Sequence, residues 1–105
     1  MTTPLLSTRL ASRVTIVTGS SSGLGRAIAL AFAANGAYPI ICSDLRPDPR
    51  GNWGISEPNL STDELICQHY GEGKAVFIQA DATVAREMET LVHKAVKAGG
   101  GRLDV

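Results

Sequence analysis

The chain has 105 residues, which is enough for one small domain, and its composition of 44% hydrophobic but only 5% aromatic residues predicts an aliphatic core. Ten basic and ten acidic residues cancel, so nothing in the charge balance favours nucleic acid or an anionic membrane as a partner. Cys42 and Cys67 lack the spacing of a metal site or a disulfide framework. No apolar run is long enough to span a membrane.

The N-terminal segment indicates where in the cell the protein is located. It has no apolar signal-peptide core, so we expect the protein in the cytoplasm. The stretch "STRLASR" is rich in Ser and Arg, and the first acidic residue is Asp44, which leaves mitochondrial import as the alternative. We treat residues 1–12 as an N-terminal extension.

The first half of the domain predicts strand, helix, strand. "RVTIVTG", beginning at Arg13, is β-branched and apolar on both faces, as in a buried parallel strand. A helix over 23–35 follows and is capped by Gly36. Its predicted apolar face contains Leu24, Ala27, Ile28, Ala31 and Phe32. "YPIICSD" then predicts a second strand that ends at Asp44.

The second half repeats the alternation. Residues 46–60 are rich in Pro and Gly and predict a loop insertion. Ser61 and Glu64 have the spacing of a capping box that opens a helix through Tyr70. "AVFIQAD" predicts the third strand, and Thr83 the cap of a third helix. That helix has an apolar stripe of Val84, Met88, Leu91, Val92, Ala95 and Val96.

Glycines at 99–101 end the third helix, and "LDV" has the pattern of a fourth strand that begins at residue 103. Strands alternating with helices predict an α/β fold, a parallel sheet with right-handed crossovers. Residues 1–105 therefore form one domain.

The turn "TGSSSGLG" between the first strand and helix predicts an anion site. Gly19 allows a sharp turn, Gly23 leaves room for an anion to approach the backbone, and Gly25 lets the helix lie close to the sheet. The helix N-terminus offers unpaired N–H groups and partial positive charge, which suit a pyrophosphate. A glycine-rich turn without a ligand is the alternative.

Two aspartates follow neighbouring strands. Asp44 comes about twenty residues after the last glycine, where a carboxylate can accept both hydroxyls of an adenosine ribose. Asp81 ends the third strand, and from its position alone its simpler role is to help Thr83 start a helix. The glycine turn and both aspartates belong to the carboxyl edge of the sheet, where open α/β folds bind ligands.

The quoted residues resemble a known family. The spacing TGxxxGxG, the segment "RVTIVTGSSSGLGRAIALAFAANGA", "DAT" at 81–83 and "GRLDV" at the end are similar to the short-chain dehydrogenases/reductases. The resemblance implies the first half of a Rossmann-type, doubly wound parallel sheet, with strand order 3-2-1 plus the start of strand four beside the first. The chain departs from the family pattern at two places: its loop at 46–60 is longer, and Gly100 stands where a large apolar residue is common.

The resemblance also implies site residues. Gly19, Gly23 and Gly25 would shape the phosphate turn, and Ser21, Ser22 and Leu24 would border the pyrophosphate, partly through backbone N–H groups. Asp44 would face the adenosine ribose, and Asp81 with the Ala82 backbone would contact adenine.

The implied cofactor is NAD, with NADP as the alternative. A carboxylate at Asp44 repels a 2′-phosphate, whereas Arg46 or Arg26 could neutralise one. The substrate of a full-length relative would be a small molecule, and oligomeric state cannot be carried over from the family.

The family's catalytic Ser and Tyr-x-x-x-Lys pair belong to later segments, so no residue here is assigned as catalytic and no metal is expected. Tyr70 and Lys74 share the pair's spacing, but Gly71 and Gly73 disfavour the helix that such a pair needs. We therefore expect a truncated NAD(P)-dependent oxidoreductase for an alcohol/ketone pair, inactive alone. The alternative is a non-catalytic nucleotide-binding or regulatory module.

Overall fold

A computed structural model of the chain describes Leu5, residues 7–49 and residues 60–105. Three strands and three helices alternate along these residues: β1 (Thr15–Thr18), α1 (Gly23–Ala34), β2 (Ile40–Asp44), α2 (Thr62–Tyr70), β3 (Ala75–Gln79) and α3 (Ala85–Ala98). The strands are parallel in the order β1-β2-β3, so the predicted α/β class and the order 3-2-1 are confirmed. Residues 50–59 of the predicted loop lie outside the described part.

Each strand is shorter than its sequence pattern suggested. β1 begins two residues after Arg13, β2 begins after Pro39, and β3 ends before Ala80. The register pairs Val17 with Cys42 and Cys42 with Phe77, which aligns the carboxyl ends of all three strands. The residues that follow the strands are therefore brought to one edge.

The sheet has two apolar faces, and different helices pack against each of them. On one face α1 and α2 cover a cluster that includes Val17, Ile40, Cys42 and Ile66. On the other face α3 supplies Leu91 and Ala95, which pack with Ile41. Ile40, Ile41 and Cys42 are fully buried, as expected for a central strand that contacts helices on both sides.

The predicted apolar face of α1 is wrong at four of its five residues. Leu24, Ala27, Ile28 and Ala31 are exposed, and Leu24 has 77% of its surface accessible, whereas Phe32 is partly buried against the core as predicted. The helix buries Arg26, Ala29, Ala33 and Ala34. Small residues let the helix backbone approach the sheet closely, so alanines form the fully buried part of the contact face.

The last residues lie beside β1, on its edge away from β2. The Ile16 N–H donates to the Val105 carbonyl at 2.9 Å, and the Val105 N–H donates to the Val14 carbonyl at 3.1 Å. These are strand-type contacts, although residues 102–105 do not form a regular strand. The expected position of "LDV" next to β1 is observed, and α3 ends at Ala98 before the glycines as predicted.

Candidate functional site at the carboxyl edge of the sheet

The connection from β1 to α1 turns sharply. Gly19 has φ +65° and Gly23 has φ +56°, a backbone conformation that favours glycine. Ser22, between the two glycines, is extended and forms the N-cap position immediately before Gly23, the first helix residue. The predicted bend between a strand and a helix is therefore present, and its glycines at 19 and 23 are required by backbone conformation.

Gly25 is required by space. A Cβ atom built there would lie 1.9 Å from the Gly19 carbonyl oxygen, far inside van der Waals contact. The first turn of α1 thus lies directly against the start of the glycine turn. A Cβ at Gly23 would meet no protein atom within 4 Å, so the clearance that we expected for an anion there stays a prediction.

Ser20 and Ser21 are bonded to the end of β2. The Ser20 N–H and hydroxyl both donate to the Ser43 carbonyl, at 3.1 and 3.2 Å. The Ser21 N–H donates to Asp44 Oδ2 at 3.1 Å, and its hydroxyl donates to the Arg46 carbonyl. Ser21 is 1% exposed with both donors engaged inside the chain, which differs from the expectation that it borders a pyrophosphate.

The N-terminus of α1 keeps free donors. The N–H groups of Gly23, Leu24 and Gly25 have no acceptor among the residues that the structure describes. No acidic side chain occupies the first turn, so the positive end of the helix dipole is not neutralised. This end of the helix can accept an anionic group.

Asp44 lies next to the glycine turn. Its Oδ1 accepts the Leu45 N–H at 2.8 Å, and its Oδ2 accepts the Ser21 N–H. Two backbone donors therefore fix the orientation of a half-exposed carboxylate. A direct hydrogen bond joins the glycine turn to Asp44, the carboxylate that follows the neighbouring strand. The sequence suggested these two features for one ligand.

Asp81 and Ala82 complete the edge after β3. Asp81 Oδ1 accepts both the N–H and the hydroxyl of Thr83, at 2.9 and 2.6 Å. These bonds, the hydroxyl first, lower the pKa of Asp81. Thr83 is not the helix cap that we predicted, because α3 begins at Ala85 with Val84 in the N-cap position.

A cavity of about 210 Å³ lies between the strand ends. Its lining includes Thr18, Gly19, Ser43, Asp44, Asp81 and Ala82. The cavity thus joins the first residue of the glycine turn, Asp44 and Ala82 in one depression.

Arg26 is not available to a ligand. Its side chain is buried beneath the turn, where Nη1 donates to the Leu60 carbonyl at 3.0 Å and to Thr62 Oγ1 at 3.2 Å. The expectation that Arg26 could neutralise a 2′-phosphate is therefore wrong. Arg46 is exposed, two residues beyond Asp44, and keeps that possibility.

Thr62 was missed by sequence reasoning. It is the first residue of α2, and its buried hydroxyl donates to the Ser20 carbonyl at 2.6 Å. No spacing rule connects residues 20 and 62, because the contact depends on how α2 docks over the glycine turn. The neighbouring Ser61–Glu64 capping box, in contrast, forms as predicted.

Tyr70 and Lys74 do not form a helical pair. α2 ends at Tyr70, and Gly71 and Gly73 both have positive φ. The Lys74 Nζ lies 4.4 Å from the centre of the Tyr38 ring, a cation–π contact. The pair is excluded as a catalytic dyad by the backbone between its members.

Within the described part of the chain, the other titratable groups give no second site. Burial raises the pKa of Cys42 to about 12, as expected for a thiol in an apolar core. Across Leu5, 7–49 and 60–105, no three His, Cys, Asp or Glu side chains come together in a way that could hold a metal ion. No described helix is long and apolar enough to cross a membrane.

Comparison with known proteins identifies the family to which the chain belongs. The profile of the short chain dehydrogenase family matches residues 13–105, so the chain belongs to that family. It is 37% identical over 105 residues to the peroxisomal multifunctional enzyme type 2 of Mus musculus, covering 100% of this chain and 13% of that protein.

Two solved structures share the fold. Hydroxysteroid dehydrogenase from Escherichia coli superposes with a TM-score of 0.68 and 27% identity, covering 91% of this chain and 34% of that one. The 3-ketoacyl-(acyl-carrier-protein) reductase from Brucella melitensis, complexed with NADH, gives a TM-score of 0.66 at 23% identity and covers 90% and 32%. The chain spans about a third of these solved chains.

Proposed function

We propose that this chain binds a nicotinamide dinucleotide across the carboxyl edge of its sheet. The diphosphate lies against the N–H groups of Gly23, Leu24 and Gly25, with Gly19 and Ser22 shaping the approach. The adenosine ribose bonds to Asp44. Adenine lies in the cavity against Asp81 and the Ala82 backbone.

The hydrogen bond between Ser21 and Asp44 carries the proposal. It places a carboxylate beside the glycine turn at the distance of one hydrogen bond, 3.1 Å, so one ligand can contact both. Ser21 therefore contributes by orienting Asp44 rather than by touching the diphosphate.

NAD is the preferred cofactor, with NADP as the alternative. Asp44 would oppose a 2′-phosphate, and Arg26 is withdrawn into a buried network, which leaves only Arg46 of the two candidate cations. The related Brucella reductase contains NADH, which supports a nicotinamide dinucleotide in this family.

The reaction proposed for a full-length relative is NAD(P)-dependent interconversion of an alcohol and a carbonyl group. The cofactor accepts or gives a hydride, and the residues of this chain hold its adenosine and diphosphate. The resemblance assigns the catalytic Ser, Tyr and Lys to later segments, so we expect these 105 residues to bind without turnover.

Calorimetric titration with NAD and NADP tests the proposal. We expect the full 105-residue chain to bind NAD more tightly than NADP. Asp44→Asn should weaken NAD binding by about tenfold, roughly 1.4 kcal/mol, and narrow the difference between the two cofactors. Asp48→Asn removes the same charge from an exposed neighbouring position and should change little. An unchanged NAD affinity in Asp44→Asn would remove the ribose assignment.

A non-catalytic nucleotide-binding module remains the second candidate function. It is favoured by the backbone between Tyr70 and Lys74: α2 ends at Tyr70, and Gly71 and Gly73 have positive φ, so these two residues form no catalytic dyad. Both candidates predict NAD binding without NADH formation by this chain, so a turnover assay does not separate them. The nucleotide sequence immediately downstream does: an in-frame Asn-Asn-Ala-Gly followed by Tyr-x-x-x-Lys would favour the oxidoreductase. A purified chain that stays monomeric, melts cooperatively and gains stability with NAD would favour the module.

A further inference from the structure

We infer that Thr62, held by Arg26, is a positioning residue for the diphosphate end of the site. The inference rests on the proposed function, because it assigns a role in ligand binding to groups that do not touch the ligand. These two residues and Ser20 form what we call the turn brace, a hydrogen-bonded link between α1, the glycine turn and α2.

The orientation of the Thr62 hydroxyl is determined by its neighbours. Arg26 Nη1 donates to Thr62 Oγ1 at 3.2 Å, and a guanidinium can only donate. The Thr62 hydrogen is therefore free to point at the Ser20 carbonyl, at 2.6 Å. Arg26 also donates to the Leu60 carbonyl at 3.0 Å, which fixes the chain immediately before α2.

Ser20 is consequently held on both sides of its own backbone. Its N–H and hydroxyl donate to the Ser43 carbonyl, while its carbonyl accepts from Thr62. Ser20, Thr62 and Arg26 are 0%, 2% and 3% exposed, so water does not substitute for these bonds. The position of Ser20 fixes where the chain enters α1, and hence where the N–H groups of residues 23–25 point.

Burial of an arginine at this place costs free energy that an apolar side chain would not. The brace meets part of that cost with hydrogen bonds from Arg26 to the Leu60 carbonyl and the Thr62 hydroxyl, both on the α2 side. The arrangement is explained if the buried Arg26 holds the glycine turn in position. The competing explanation is a purely structural link that stabilises the fold without affecting the ligand.

The test compares a ligand that has a diphosphate with one that does not. ADP and adenosine are titrated by NMR into the 105-residue chain and into Thr62→Val, which keeps the shape and removes the hydroxyl. We expect Thr62→Val to weaken ADP by about three- to tenfold while adenosine changes by less than about twofold. Thr62→Ser, which restores the hydroxyl, should recover ADP binding.

The matched control is Thr90→Val. Thr90 is exposed on α3 and its hydroxyl donates to the Arg86 carbonyl at 3.0 Å, so its loss should leave both ligands unchanged. Where Thr62→Val does not fold by circular dichroism, Arg26→Lys replaces it, because lysine cannot contact Leu60 and Thr62 with one planar group. It should weaken ADP selectively in the same way.

Two results would overturn the inference while wild-type binding remains intact. One is ADP binding by Thr62→Val that equals wild type. The other is an equal proportional loss for ADP and adenosine, which indicates a structural link only. Failure of the wild-type chain to bind either ligand would instead reject the proposed function on which the inference rests.

Discussion

Asp44 and Asp81 are the same residue type at the same edge of the sheet, after neighbouring parallel strands, yet their environments differ. Both side chains are half-buried, but Asp44 accepts a hydrogen bond from Ser21, 23 residues earlier in the chain. Asp81 accepts its bonds from Thr83, two residues away. One carboxylate links two elements of the fold, and the other forms a local turn.

Because of this difference, substitution at Asp44 and substitution at Asp81 affect the stability of the protein differently, apart from any effect on ligand binding. Removing Asp44 leaves a buried backbone N–H without an acceptor, so its loss affects stability and binding together. Removing Asp81 opens a solvent-exposed turn. Binding experiments on the two positions are therefore interpretable only beside stability measurements.

The largest expected effect tests how closely the glycine turn is packed. Gly25→Ala places a Cβ against the Gly19 carbonyl, so we expect the free energy of unfolding to fall by about 3 kcal/mol or more. Gly73→Ala is the control, since a Cβ there meets no atom within 4 Å and only the positive φ is strained, at about 1 kcal/mol. Urea unfolding measures both, and similar costs would contradict the close contact.

The second effect addresses the two aspartates directly. Asp44→Ala should lower the free energy of unfolding by about 1–3 kcal/mol, because the Ser21 N–H loses its acceptor in a buried position. Asp81→Ala should be clearly less destabilising. Thermal and urea unfolding of both variants measure the two losses of stability. Equal destabilisation would remove the distinction between them.

The third prediction extends the contrast between buried and accessible groups to the two thiols. Cys42 is fully buried with a pKa raised to about 12, whereas Cys67 is partly exposed. Native protein should therefore react with iodoacetamide at Cys67 at least about ten times faster than at Cys42. Peptide mass spectrometry measures both rates, and labelling in urea, where the rates should converge, is the control.

The smallest effect concerns a second locally bonded carboxylate, Glu64. Hydrogen bonds from the Ser61 hydroxyl and N–H lower the Glu64 pKa below its ordinary 4.5. A lowered pKa contributes stability that is present above pH 4.5 and is lost as pH falls through the folded-state value. Ser61→Ala should raise the pKa of Glu64 toward 4.5 in an NMR titration, and no change would exclude the hydroxyl as the main cause.

Sequence patterns were sufficient where the determining contacts are local. The Ser61–Glu64 capping box, the glycine turn after β1 and the break at Gly71 all depend on neighbours within a few residues, and all are observed. The strand order followed from the family resemblance together with the alternation of elements.

Sequence patterns gave wrong predictions where the distance between packed elements determines which residues are buried. The predicted face of α1 relied on large aliphatic residues, whereas the structure buries Ala29 and Ala33 and exposes Leu24 and Ile28. Small side chains allow the close approach that Gly25 also requires. Thr83 likewise has the residue type of a helix cap, but its hydroxyl bonds back to Asp81, so α3 starts later.

The turn brace was also beyond sequence reasoning. Arg26 resembled a surface cation near a phosphate turn, and its burial depends on where residues 60 and 62 dock. A contact between residues 36 positions apart has no signature in a single sequence. The same limit applies to Thr62 and Ser20.

The most direct test of a dinucleotide across this edge is an amide NMR titration of the chain with NAD. We expect the largest shift changes at Ser22, Gly23, Leu24 and Gly25, with smaller ones at Leu45 and Ala82. The outer face of α3, around Thr90 and His93, should remain unchanged. Saturable changes confined to α3, or none at residues 22–25, would contradict the account.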